Sequence, residues 1–251
     1  MDTMNLVESL TRWIHVVAGI LWIGLLYFFN WVNSAFAPTM DADTKRKVIP
    51  ELVPRILYWF RWGAAWTWIS GVILLTIVYY QTGLVFDDGV GWGLPAYVAL
   101  ALTFLGVYIY DVLLKTVLKN PNVTFVVMWV LVSLSLYLFD RWAGFSFRGY
   151  SIHLGAMFGS TMAFNVWYRI WPAQRKIITA IKNGEAPDGA LLALAGARSK
   201  HNTYMSIPLI FAMLSQHMTW AATPGYMSLV VLGGFFAVRA LYAKAPTVKG
   251  F

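Results

Sequence analysis

Long apolar runs separated by short polar stretches dominate the chain. Crossing a hydrocarbon layer about 30 Å thick takes about 20 apolar residues in helical form. Seven runs qualify, over residues 6–36, 57–82, 94–118, 123–139, 150–171, 204–221 and 225–243. The pattern predicts an all-α integral membrane protein, a bundle of about seven transmembrane helices forming a single polytopic domain over residues 1–251. The first run is expected to stay as a helix. Glu8 and Arg12 sit where a cleavable signal peptide would place its apolar region, and no small-x-small cleavage site follows.

Charge fixes an expected orientation. Basic residues number four between residues 34 and 56 (Lys45, Arg46, Lys47, Arg55), and none lie in 82–93. Two lie in 115–121 and two, Arg141 and Arg148, in the next connection. The 173–202 loop holds five, the turn around Pro224 none and the tail two. Alternate connections therefore carry thirteen against two, which places the N-terminus outside and the C-terminus in the cytoplasm. Within the 173–202 cytoplasmic loop, Ile177, Ile178 and Ile181 alternate with Arg175, Lys176 and Lys182, and a Gly-Glu-Ala-Pro-Asp-Gly turn precedes Ala190–Arg198. This reads as two short interfacial helices on the anionic leaflet, or as a solvated connector.

Composition narrows the function classes. The chain is 59% hydrophobic and 12% charged, against about 45–50% and about 25% in soluble domains. That excludes disorder and nucleic-acid readout, so the net charge of +8 is a topology signal. The absence of Cys excludes disulfides, iron–sulfur clusters, a thiol nucleophile and a covalently attached c-type haem.

Ionisable residues inside apolar spans are costly and mark function by default. With the orientation above, His15, His153 and His217 fall at matched depth in the outer half of the bilayer, on three different spans. Imidazoles on rigid helices suit axial ligation of haem iron, which needs no Cys. His15, His153 and His217 are thus the candidate metal ligands for a haem b. His201 is set aside as a fourth, because it precedes His217 by sixteen residues, about 24 Å along a helix. Gly19 and Gly155 would leave room for a flat macrocycle, although Gly155-x-x-x-Gly159 equally suits a close helix contact. Proton relay and satisfied polar groups between helices are the other readings of these histidines. Glu8, Arg12, His15, Gly19 and Trp22 form one helical stripe. Arg12 and Glu8 are the candidate catalytic pair, either binding a small anion or a haem propionate, or simply pairing at the interface. Arg61, Asp111, Asn165 and Arg169 are expected to form a structural charge network.

Several segments resemble one family in order and spacing. They are Arg12-Trp13-x-His15-x-x-x-Gly19-Ile20-x-Trp22-Ile23-Gly24, His153-x-Gly155-Ala156-Met157-x-Gly159, Met162-Ala163-x-Asn165-Val166, Pro172-x-Gln174-Arg175-Lys176, and Arg198-Ser199-x-His201-Asn202-x-Tyr204-x-Ser206-x-Pro208. The chain resembles the membrane domain of the bacterial cytochrome-c-linked urate oxidases (urate hydroxylases). That resemblance implies oxidation of urate to 5-hydroxyisourate, with electrons passed to a c-type cytochrome. Family members typically add an eighth span and a periplasmic cytochrome c domain, so this sequence reads as a short form. A separate c-type cytochrome, or subunits of a respiratory complex, would then accept the electrons.

The expected activity is oxidation of urate or a similar small anion at the outer face, with Arg12, Arg141 or Arg148 holding its charge. The alternative is a non-catalytic b-type cytochrome subunit that anchors a larger respiratory complex. A transporter is disfavoured, because no paired broken helices or repeat halves are visible.

Overall fold

The computed structural model describes residues 3–250. Among these, helices account for nearly all regular structure, and a single bridge between Phe86 and Phe145 is the sole strand-like pairing. The helices are α1 (Thr3–Tyr27), α2 (Ser34–Phe36), α3 (Ala42–Leu74), α4 (Leu94–Thr116), α5 (Pro121–Tyr137), α6 (Phe147–Asn165), α7 (Trp171–Asn183), α8 (Gly189–Leu214) and α9 (Pro224–Lys244). Wider, π-helical turns follow four of them, at Phe28–Asn33, Leu75–Tyr80, Leu138–Trp142 and Val166–Ile170.

Local chemistry sets the helix ends. Asp41 opens α3 by accepting from the Thr44 amide at 2.8 Å and from its hydroxyl at 3.0 Å. Asn120 accepts from the Asn122 amide at 2.9 Å ahead of Pro121, whose missing N–H costs nothing in a first turn. At the end of α7, Gly184 adopts φ +77°, and the Glu185 amide reaches back to the Ala180 carbonyl, a glycine-dependent helix stop. Asp188 then caps α8 through the Ala190 amide at 2.7 Å.

Among the described residues, five stretches are long and apolar enough to cross a bilayer: Thr3–Thr39, Ala42–Tyr80, Leu94–Thr116, Pro121–Trp142 and Pro224–Thr247. They contain the first, fourth and seventh expected spans and all but the last two residues of the second and third. The fifth and sixth expected spans fall on α6 and α8, which are helical but less apolar. The reason is visible in their burial. Ser151, His153, Ser160, Thr161 and Asn165 of α6 are buried, as are Arg198, Asn202, Thr203 and Ser206 of α8. The outward residues of α1, α4 and α5 are instead large and apolar, among them Trp13, Ile20, Leu105, Ile109 and Val130. α6 and α8 thus bury polar side chains while α1, α4 and α5 present apolar ones, an arrangement compatible with a hydrocarbon surrounding. The 173–202 stretch also differs from expectation. α7 follows α6 through a wide turn without a break, and Ala190–Arg198 forms the opening turns of α8 rather than a separate helix.

The chain divides into two compact units. The first comprises Gly71–Thr161 and Ser206–Phe236, with the amino-terminal residues up to Glu8. Its interior holds Val85, Leu136, Phe139, Phe145, Leu154 and Met227, all sealed from solvent. Ser133 and Ser228 join α5 to α9 through a 2.6 Å hydroxyl pair, and the Trp129 indole donates to the Ser228 carbonyl at 3.1 Å. The second unit comprises Ser9–Ser70 and Met162–Met205, with the carboxyl-terminal residues from Ala237. There Gly63 lets α3 approach α1, since a Cβ on it would lie 3.3 Å from Trp22 backbone nitrogen. Ala173 and Ile177 of α7 pack on Ala195 of α8.

Candidate functional site

In the first unit, the start of α6 is built around one carbonyl. Ser146 caps the helix by accepting from the Gly149 amide at 3.0 Å, and its hydroxyl donates to the Leu84 carbonyl at 2.9 Å. Gly149 lies so close to the Val85 carbonyl that no side chain fits there. One turn on, His153 is wholly buried, with Nδ1 2.7 Å from the Gly149 carbonyl and Nε2 3.0 Å from the Tyr80 hydroxyl. A carbonyl only accepts, so Nδ1 carries the proton and Nε2 holds the lone pair, accepting from Tyr80. Phe145 and Phe139 close around the ring at 4.6 and 6.1 Å between centroids. Beside His153 on the same helix, Tyr150 Oη and Ser151 Oγ are buried and make no hydrogen bond among the described residues.

In the second unit, His15 is half-buried on α1. Its Nδ1 lies 2.9 Å from the Thr67 carbonyl and 3.2 Å from Ser70 Oγ. The Ser70 hydroxyl donates to the Trp66 carbonyl at 2.5 Å, so its oxygen is an acceptor and His15 Nδ1 is the donor. Nε2 is again the basic nitrogen, and it makes no hydrogen bond among the described residues.

The remaining candidates take separate positions. His217 is exposed in the turn Ser215–His217 after α8, in the first unit. His201 is half-buried on α8, in the second. Among the described residues, no three His, Asp or Glu side chains stand close enough to share a metal ion. On α1, Glu8 is half-buried and Arg12 is exposed. Arg141 pairs with Asp140 at 2.9 Å, while Arg148 is exposed. The glycines close helix contacts: a Cβ on Gly155 would meet Met213 Cε at 2.7 Å, and one on Gly19 would touch Thr67 at 3.8 Å. The inner polar residues have local partners. Asp111 pairs with Lys115 at 2.7 Å, Asn165 donates to Asn202 at 2.8 Å, and the Arg61 guanidinium lies 3.7 Å from the Trp171 ring centre.

The donor chemistry of both histidines suits an axial ligand of haem iron. A backbone carbonyl fixes each Nδ1 proton and leaves Nε2 basic, the outer support that metal-binding histidines use. His15 presents that nitrogen as it stands. His153 presents it only once the Tyr80 hydroxyl turns aside. Residue patterns alone did not signal Tyr80, Thr67 or Ser70, because each meets its histidine across more than fifty residues of sequence.

Fold and site together define a helical protein with bilayer-length apolar helices and two imidazoles, one buried and one half-buried, each held in a fixed tautomer. The family described as urate oxidase N-terminal matches residues 40–245, well over half the chain, and the chain belongs to that family. No curated protein and no solved structure matches it. The matched stretch contains His153, Gly155, His201 and His217, whereas Glu8, Arg12, His15 and Gly19 precede it.

Proposed function

We propose that this chain is the membrane-embedded part of a urate-oxidising system of the bacterial inner membrane. It would oxidise urate or a similar small anion at the outer face and pass electrons to a c-type cytochrome. The observation that carries this reading is the family match over residues 40–245. In the reaction, water supplies the oxygen of the product, the electron pair leaves to the cytochrome one electron at a time, and protons leave to solvent.

The chain's residues suit these tasks. Arg12 would bind the anion by charge-assisted hydrogen bonds, with Glu8 one turn before it orienting the guanidinium. His15 is the candidate axial ligand in the second unit and His153, once released from Tyr80, the candidate in the first, for a haem b that supplies single-electron relay when bound. In the arrangement described, His153 Nε2 is a buried base already in contact with a phenol, able to take a proton from a neighbouring group.

The test is an optical spectrum of the detergent-purified protein, before and after addition of urate. A Soret band that shifts to the reduced form with urate is expected, and it should weaken in H15A or in H153A. The absence of any such band would overturn the haem assignment. A band indifferent to urate would overturn the catalytic reading and leave the non-catalytic b-type cytochrome subunit in its place.

A further inference from the structure

Arg61 and Arg175 share one indole. The Arg61 guanidinium carbon lies 3.7 Å from the centre of the Trp171 ring and 5.3 Å from that of Trp167. The Arg175 guanidinium carbon lies 5.8 Å from the same Trp171 ring. The two cations are therefore no farther apart than those two Trp171 distances combined. Arg61 also donates through Nε to the Leu57 carbonyl at 3.3 Å. Neither arginine makes an ion pair with a carboxylate among the described residues. Cation–π attraction holds both guanidiniums near one indole, and the two like charges repel across it. An anion that reaches both would relieve that repulsion.

The surroundings indicate which anion. Arg61 stands on the apolar stretch Ala42–Tyr80, and α7, which carries Arg175, is amphipathic and rich in Arg and Lys. Next to Arg61, Trp62 is 41% exposed and packs edge-on against Trp167 at 5.7 Å. One turn further, Trp66 is 51% exposed. The surface thus sets two guanidiniums at one end of an outward aromatic strip on a bilayer-length helix. Its charge and its apolar run complement a molecule with an anionic phosphate head and hydrocarbon tails.

We propose that Arg61 and Arg175, braced by Trp171, form a binding site for the phosphate of an anionic glycerophospholipid, whose acyl chain lies along Trp62 and Trp66. The site rests on these helices lying in a bilayer and is independent of any urate chemistry. Arg175 is the arginine more open to exchange, being exposed where Arg61 is half-buried.

The experiment is native mass spectrometry of the full chain in detergent, titrated with phosphatidylglycerol or with phosphatidylcholine. The wild type should retain phosphatidylglycerol in preference to phosphatidylcholine. R61Q and R175Q should each lower that retention about fivefold, the worth of one basic residue at an anionic lipid surface. R175Q alters an exposed side chain, so it keeps the test decisive should R61Q fail to fold. Equal retention of phosphatidylglycerol by wild type and R175Q would overturn the site. So would displacement of the lipid by inorganic phosphate at equal concentration, which would show a free-anion site instead.

Discussion

Gly149→Ala offers a sharp test of how His153 is held. A Cβ at this position would run into the Val85 carbonyl, with the Val85 carbonyl carbon at 2.9 Å and its Cα at 3.2 Å. All three are backbone atoms, so no side-chain rotation relieves the clash, and either α6 or the turn that carries Val85 must shift. Ser146 ties the two together, since its amide donates to that same Val85 carbonyl at 2.9 Å. Alanine gains about 0.5–1 kcal/mol over glycine inside a helix. Overpacking of a closed site costs about 1–3 kcal/mol. The clash is with backbone atoms, which puts the cost at the upper end and leaves a net loss of about 2–2.5 kcal/mol, or about 4–10 °C in melting temperature at about 2–4 °C per kcal/mol for a chain of this length. Thermal unfolding in detergent, followed by circular dichroism, measures it. G196A is the matched control, because nothing lies within 4 Å of a Cβ at that exposed helical position. It should melt at or above the wild type. If G149A melts no lower than G196A, the close approach at Val85 does not exist as described, and the carbonyl that orients His153 is not fixed by it.

Three further outcomes follow from the same contacts. Y80F removes the donor to His153 Nε2 and should destabilise the protein by about 1–3 kcal/mol, the cost of an orphaned buried acceptor. Y80F melting with the wild type would show that this hydrogen bond is absent. N202A deprives Asn165 Nδ2 of its acceptor and the Met162 carbonyl of its donor. It should cost about 1–3 kcal/mol, whereas a double variant N165A/N202A should lose less than the two single changes combined. Asp41 is held below the ordinary carboxylate range by the Thr44 amide and then by the Thr44 hydroxyl. Its capping of α3 is therefore complete above its unfolded pKa and is lost as pH falls through the lowered folded value. D41N should flatten this acid limb of the stability profile, and an unchanged limb would refute the assignment.

The apolar runs revealed α1, α4, α5 and α9 nearly to their ends, because those helices face outward and hydropathy reports what faces lipid. α3 begins well before its expected start, at Ala42. Its opening turns carry Lys45, Arg46, Lys47, Pro50 and Pro54, which read as a polar connection. α6 and α8 were seen as spans, yet their apolarity is diluted by the Ser, Thr and Asn they bury. The site was legible only by halves. His15 and His153 stood out as imidazoles in apolar surroundings. Nothing in their own segments indicated that Thr67 and Ser70 hold the first, or Tyr80 the second. Those pairings arise from packing between distant parts of the chain, where no local period operates.

Wide turns make a helix tolerant of changes in length. Deleting one residue from an α-helix rotates everything beyond it by about 100° and shortens it by about 1.5 Å, which would carry a buried imidazole away from its partner. A π-helical turn already contains one residue more than an α turn, so losing that residue tightens the turn while both flanks keep their faces. Insertions and deletions of single residues among relatives should therefore gather at Phe28–Asn33, Leu75–Tyr80, Leu138–Trp142 and Val166–Ile170, and be rare in the regular helix between them.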